Sequence, residues 1–500
     1  MSVEKFLDEP WKNSHRAYDE SSFNIRPAPE FSTGEVAVAS LYRASGFMGY
    51  AENGVPKAGR EFERASDKEK NDPKARSVVS GDIWRTVLHR VLESPKVPKQ
   101  SSKRFLSLTP LVPDVALYSG SARLAGNSWN PGALVKRMVQ LGAASHGDAE
   151  RQWERLFVAL SVGENDDIWA RWLGEQFMAR RRNGEEWLRT SFDPVDGMPD
   201  GEKNKLIFPA KQFVRDLDAI IDAKPHMTRR QWISLLEALV RIGSVSHVLW
   251  LCRVNDRLWR VVASLLGHMD GKIPSTVDEM FDDILHGETR SLSYGNPAVP
   301  TIKDYASRYL LARLGINRVL WELEARGKGV VKLKSAEDLW AFMRLVQREA
   351  PALKSSRIIE SFRELQDKES RTVACKKGVG TNLIEFSQYT LGQRQTSDES
   401  LRGYDQSYFL RKRGASRSAP WVLSPGPVAV LAVVHCCLHE VKGPRSVQRL
   451  SKHLGMYGIE FDVENVNDSD LGRQLRMLGL VLDSPDAESG MLLIPPFGTS

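Results

Sequence analysis

A chain of 500 residues, 41% hydrophobic and 27% charged, has the make-up of a soluble globular protein with a large core and about two to four domains. Four cysteines, Cys252, Cys375, Cys436 and Cys437, do not suggest a disulfide framework. No apolar run reaches the length of a membrane span, and Met1 to Pro10 lack the basic-then-apolar layout of a secretory leader, so a cytoplasmic protein is expected; the net charge of +7 permits an anionic partner without requiring one.

Residues 1–78 are mixed, with Ser40 to Arg43 suited to a short helix and the polar run 61–76 to an exposed helix or loop. In the helical region 79–190, Ile83, Trp84, Val87, Leu88, Val91 and Leu92 predict an amphipathic helix, followed by a basic linker at 96–104 and a proline-punctuated apolar stretch to Tyr118. Trp153, Phe157, Leu160, Trp169, Trp172, Leu173 and Phe177 then recur three or four residues apart, which is the spacing of a core-facing helix stripe. Arg180, Arg181 and Arg182 close that stretch, where cations complement a helix dipole. Residues 191–205 are expected to form a loop and a hinge.

The central domain, 206–370, is densely apolar. Thr228 and Gln231 have the spacing of a capping box, and Trp232, Leu235, Leu236, Leu239 and Val240 form one helical face beyond it. A second face from Val248 to Leu266 predicts a packed antiparallel pair. Further helices are expected at about 302–314, 316–326, 336–348 and 355–366, with a strand at 328–333. In the connector 371–420 the helical periodicity fades, and Tyr408-Phe409-Leu410 and Trp421-Val422-Leu423 predict two short strands joined by a basic loop.

From 421 to 500 the order of elements is distinctive. An apolar helix runs from Val428 to Leu438 and stops at Gly443-Pro444; a second carries Val447, Leu450 and Leu454; a third, capped by Asp468 or Ser469, carries Leu471, Leu475 and Leu478. Leu480 to Leu482 and Met491 to Ile494 then read as a hairpin. Three helices followed by a two-stranded wing resembles the winged-helix variant of helix-turn-helix. The fold class is therefore mainly α, a multi-helix bundle or stacked helical pairs, with a small C-terminal α+β winged-helix domain.

Winged helices divide between DNA readers and protein-docking modules, so local charge is the deciding signal. Residues 443–500 carry 5 cations and 8 anions, with acids before the third helix and at the wing tip, which favours protein docking. Residues 303–417 carry 23 cations and 14 anions, and are the better nucleic-acid candidate. The residues proposed for that contact are Arg411, Lys412, Arg413 and Arg417, with Lys376 and Lys377; the alternative DNA-reading pair is Arg473 and Arg476.

Catalytic signals are weak. Gly378-Val379-Gly380 lacks the lysine of a phosphate loop. His435 and His439 share a helix face but sit in an apolar context, which favours packing over a metal. Glu440 and Lys442 diverge at a helix end, and the acids Asp166, Asp167, Asp193, Asp196, Asp200 and Glu202 suit turns and caps. No metal or other cofactor is expected. The leading expectation is a non-catalytic component of a larger cytoplasmic assembly, binding nucleic-acid backbone through the basic region and a partner protein through the acidic winged helix. Such a chain would suit an accessory subunit of a bacterial anti-phage defence operon. The alternatives are a sequence-specific DNA-binding regulator and a metal-dependent nuclease using the loop carboxylates.

Overall fold

The structure, a computed structural model, describes residues 3–26, 34–47, 108–118, 130–178, 187–192, 209–286, 291–330, 332–392, 405–416, 418–482 and 491–497. The protein is mainly helical. The N-terminal half contributes α1 (Val3–Asp8), α2 (Arg16–Asp19), α3 (Gly34–Ser45), α4 (Pro113–Tyr118), α5 (Pro131–Gly142), α6 (His146–Leu160), α7 (Ile168–Met178) and α8 (Ala210–Asp222). The centre contributes α9 (Arg229–Leu265), α10 (Val277–Met280) leading into a π-turn, α11 (Ala298–Ala325), α12 (Ala336–Ser355), α13 (Ile358–Lys368), α14 (Ser370–Val373) and α15 (Gly378–Thr390). The C-terminal part holds α16 (Pro427–Leu438), α17 (Val447–Met456) and α18 (Asp470–Met477).

Helix α9 is the axis of the molecule. It starts where the capping box places it: Gln231 N donates to the Thr228 hydroxyl, and Thr228 N donates to Gln231 Oε1 at 2.9 Å. From there it runs 37 residues, buried at almost every position, with α3, α5, α8, α11, α12, α15 and α16 packed around it. A helix covered on all sides has no polar stripe. For that reason the expected antiparallel pair is a single helix: Gly243 and Ser244 lie in its interior rather than at a turn, and Gly243 lets the Phe213 ring approach to where a Cβ would stand 2.3 Å away. Helix α11 repeats the pattern. It spans the two helices expected at 302–314 and 316–326, and Gly315 makes room for the Trp259 ring of α9, 2.4 Å from a would-be Cβ. Among the described residues α9 is also the one helix long and apolar enough to cross a membrane, contrary to the expectation from sequence, and that apolar stretch is wholly buried inside the fold.

The N-terminal segment is strapped across the two long helices by buried amides. Tyr18 OH donates to Asn255 Oδ1 at 2.8 Å, Asn255 Nδ2 donates to Phe23 O at 2.9 Å, and His15 N donates to Asn317 Oδ1 at 2.7 Å. Each amide satisfies backbone or hydroxyl groups that burial would otherwise leave costly. The stretch 328–333 is no strand in its described residues; Leu333 O instead accepts from Ser22 N on this strap.

The C-terminal part is joined to the body. Helix α16 enters through Pro427 at its first turn, is apolar on most faces and packs on α8 and α9. A three-stranded sheet follows, order β4-β7-β6, from β4 (Arg445–Ser446), β6 (Val481–Leu482) and β7 (Leu492–Leu493), with β7 antiparallel to both neighbours. Strand β5 (Ile459–Glu460) pairs in parallel with β1 (Leu292–Ser293), so it belongs to another sheet. Just beyond β1, Gly295 N donates to Leu423 O and Leu423 N donates to Asn296 O, tying in the hairpin of β2 (Leu410–Lys412) and β3 (Trp421–Leu423). Beneath α17, the buried Asp216 carboxylate of α8 accepts from Tyr457 OH at 2.6 Å and Gln212 Nε2 at 2.8 Å, with His453 Nε2 at 3.0 Å. One apolar cluster extends from Ala17 to Leu493.

Candidate functional site

Strands β2 and β3 form the expected hairpin, with Leu410 opposite Leu423, Arg411 opposite Val422 and Lys412 opposite Trp421. Leu410, Val422 and Leu423 are anchored in the core, while Arg411 and Arg413 are exposed and Lys412 is half-buried. The hairpin therefore holds its cations on a fixed support. Arg417, in the same loop, lies outside the described residues.

The third helix of the C-terminal part meets this hairpin. Ser469 caps α18 by accepting from Gly472 N at 3.1 Å, which fixes Asp470 in the first turn. Arg411 Nη2 donates to Asp470 Oδ2 at 3.1 Å, and Arg473, one turn along α18, donates to the other carboxylate oxygen. The hydrogen bond from Arg473 leads in holding the Asp470 carboxyl below the usual aspartate range; burial opposes it, and the charges of Arg473 and then Arg411 add to the lowering. Arg476 turns toward the preceding turn, donating from Nη1 to Asn467 O at 2.8 Å. Two half-buried rings border the cluster. Burial raises the Tyr294 hydroxyl above the usual phenol range, with the nearby Ser424 opposing it and the charges of Asp470 and Arg411 also acting on it. Burial likewise raises Tyr408, with Arg411 opposing.

The result is one surface built from the β2–β3 hairpin, the 294 turn and α18. It brings together Arg411, named first for nucleic-acid contact, and Arg473, named for the alternative. Lys376 and Lys377 are exposed at the start of α15, and among the described residues no hydrogen bond or ion pair of their side chains joins them to the hairpin. Tyr294 and Asp470 are the components that sequence reasoning did not assign to the site. Tyr294 reads as part of a Gly-Pro turn far upstream, and Asp470 as one acid among many, so no local pattern marks either.

The other candidates have structural partners. Gly378 takes a left-handed φ of 57°, and Gly380 packs where a Cβ would stand 2.3 Å from Thr372 O, so this pair serves a tight junction between α14 and α15. His435 Nε2 lies 2.9 Å from Ala219 O, and His439 Nε2 lies 3.2 Å from Asp222 Oδ2. No group of three or more His, Cys, Asp or Glu able to hold a metal ion occurs among the described residues. Asp166 pairs with Lys224 and Arg229, while Asp167 accepts from the backbone N–H of Trp169, Ala170 and Arg229. Trp169 departs from its expected core position and is 63% exposed, because α7 turns Leu173 and Phe177 inward instead. The helix expected at 81–92, the linker expected at 96–104, Arg180 to Arg182, Asp193, Asp196, Asp200, Glu202 and the acids Asp483, Asp486 and Glu488 of the expected wing tip lie outside the described residues.

No protein-family model and no curated protein matches this chain.

Proposed function

We propose that the protein is a non-catalytic component of a larger assembly that binds nucleic-acid backbone through the surface of the β2–β3 hairpin and α18. The observation that carries this reading is the convergence of Arg411 and Arg473, from elements far apart in sequence, on one carboxylate at the exposed start of a helix. Guanidinium groups in that arrangement suit the paired oxygens of a phosphodiester. The exposed Arg413 follows Arg411 by two residues and extends the cationic surface, and Tyr294 and Tyr408 lie beside it as rings on which a base could stack.

The C-terminal part, on this reading, is a winged-helix module. Support comes from the order α16, β4, α17, β5, α18, β6, β7 and the small sheet β4-β7-β6, which follow the helix-strand-helix-helix-wing sequence of that family apart from β5, a strand that pairs outside this sheet. Partner docking, on this reading, follows from the excess of acids in residues 443–500, with 8 anions against 5 cations.

Replacing Arg411, Lys412, Arg413 and Arg417 together by glutamine tests the nucleic-acid assignment. Affinity for a fluorescent oligo-dT strand at low salt is expected to fall about a hundredfold, and the dependence of log affinity on log salt to flatten, because each neutralised phosphate contact removes about 0.7 from the slope. Unchanged affinity would remove the hairpin from the account.

A further inference from the structure

Resting on that reading, we propose that the Asp470 carboxylate is a built-in competitor for the nucleic-acid phosphate, so that the Arg411–Arg473 seat is closed by the protein's own anion until a phosphodiester displaces it. Each carboxylate oxygen takes a different guanidinium: Oδ2 from Arg411 on the hairpin and Oδ1 from Arg473 on α18. The two non-bridging oxygens of a phosphodiester offer the same pair of acceptors to the same pair of donors. All three side chains reach solvent, at 49% exposure for Arg411, 48% for Asp470 and 64% for Arg473, so a ligand has access without opening the core. Exposed ion pairs are weak and exchange readily, which makes displacement feasible.

The position of Asp470 adds to the case. It stands in the first turn of α18, where the helix dipole favours a negative charge of either origin. The helix does not depend on it for capping, since Ser469 already accepts from Gly472 N. Asp470 can therefore give up its arginines without unwinding α18. While it holds them, the seat presents two cations and one anion, and a phosphate gains only part of their charge. The closure also accounts for the local acidity that argues against nucleic-acid binding when residues 443–500 are read as sequence alone, at least for this one acid.

The test compares wild type with D470N, D470E and D468N for binding of a fluorescent oligo-dT strand across a salt series, with thermal melting as a control for folding. Asp468 is an exposed acid two residues away in the preceding turn, so its variant makes the same change in net charge. D470N is expected to bind about tenfold more tightly, and its salt slope to steepen by about one to two phosphate equivalents as Arg411 and Arg473 become free. D468N is expected to shift affinity less than about twofold with an unchanged slope, and D470E, which keeps the anion, to behave as wild type. Wild type that binds with D470N no tighter than D468N would overturn the competitor proposal while leaving the hairpin assignment standing. No salt-sensitive binding by wild type or D470N would overturn both.

Discussion

His247 shows what a single buried polar residue does to this fold. It lies in the middle of α9 with no exposed surface, stacks on Trp250 with ring centroids 5.6 Å apart, and among the described residues has no hydrogen-bond partner at either ring nitrogen. Burial, reinforced by the charge of Arg137, pushes its pKa down to about 3. The unfolded chain takes up that proton near pH 6.5, so the folded state is the one that binds fewer protons between those values. This contribution is therefore intact above about pH 6.5 and is lost as pH falls toward 3. Replacing His247 by phenylalanine should remove about 2 kcal/mol of the stability lost between about pH 7 and pH 5, at roughly 1.4 kcal/mol per pH unit. Urea unfolding of wild type and H247F at both pH values measures it; equal acid losses would show that His247 is not held neutral. At the same scale, the candidate cluster was half legible. Arg411, Lys412 and Arg413 stand out as a run of charge, but nothing local assigns Asp470 to Arg411, 59 residues away.

Among the elements, those with strong local signals were legible and those defined by their surroundings were not. Thr228 and Gln231 mark the start of α9, Ser469 marks α18, and the apolar triplets flanking the basic loop mark β2 and β3, although β2 runs two residues further into that loop, to Lys412, than expected. These signals are short-range hydrogen bonds and turn chemistry. The long helices were misread at their glycines, because Gly243 and Gly315 look like breaks in sequence and act as contact points in the fold. Buried helix backbone satisfies its own hydrogen bonds, so such a glycine costs only about 1 kcal/mol against alanine and can be retained for close packing. Gly315→Ala should accordingly destabilise the protein by about 1 to 3 kcal/mol despite its better helix propensity, since the added methyl overpacks against Trp259. Chemical denaturation reads this directly, and a stabilised variant would mean that α9 and α11 are less tightly apposed. The two-residue strands β1, β4 and β5 carry no sequence signal because their pairing partners are remote.

For the molecule as a whole, the mainly helical class was legible from periodicity, while the way the C-terminal part joins the body was not. Segment 291–297 ties both β5 and the β2–β3 hairpin, α16 lies against α8 and α9, and Asp216, His453 and Tyr457 form a buried polar junction beneath α17. The hairpin cations and α18 are thereby held on one support, the arrangement on which the proposed phosphate contact rests. The most direct test of that claim is a salt-titrated binding measurement with the intact protein against single-stranded DNA, duplex DNA and RNA. The account predicts binding whose log affinity falls linearly with log salt, with a slope of about −2 to −4 set by a few phosphate contacts. Absence of binding to all three at about 50 mM salt, where such contacts are strongest, would contradict it.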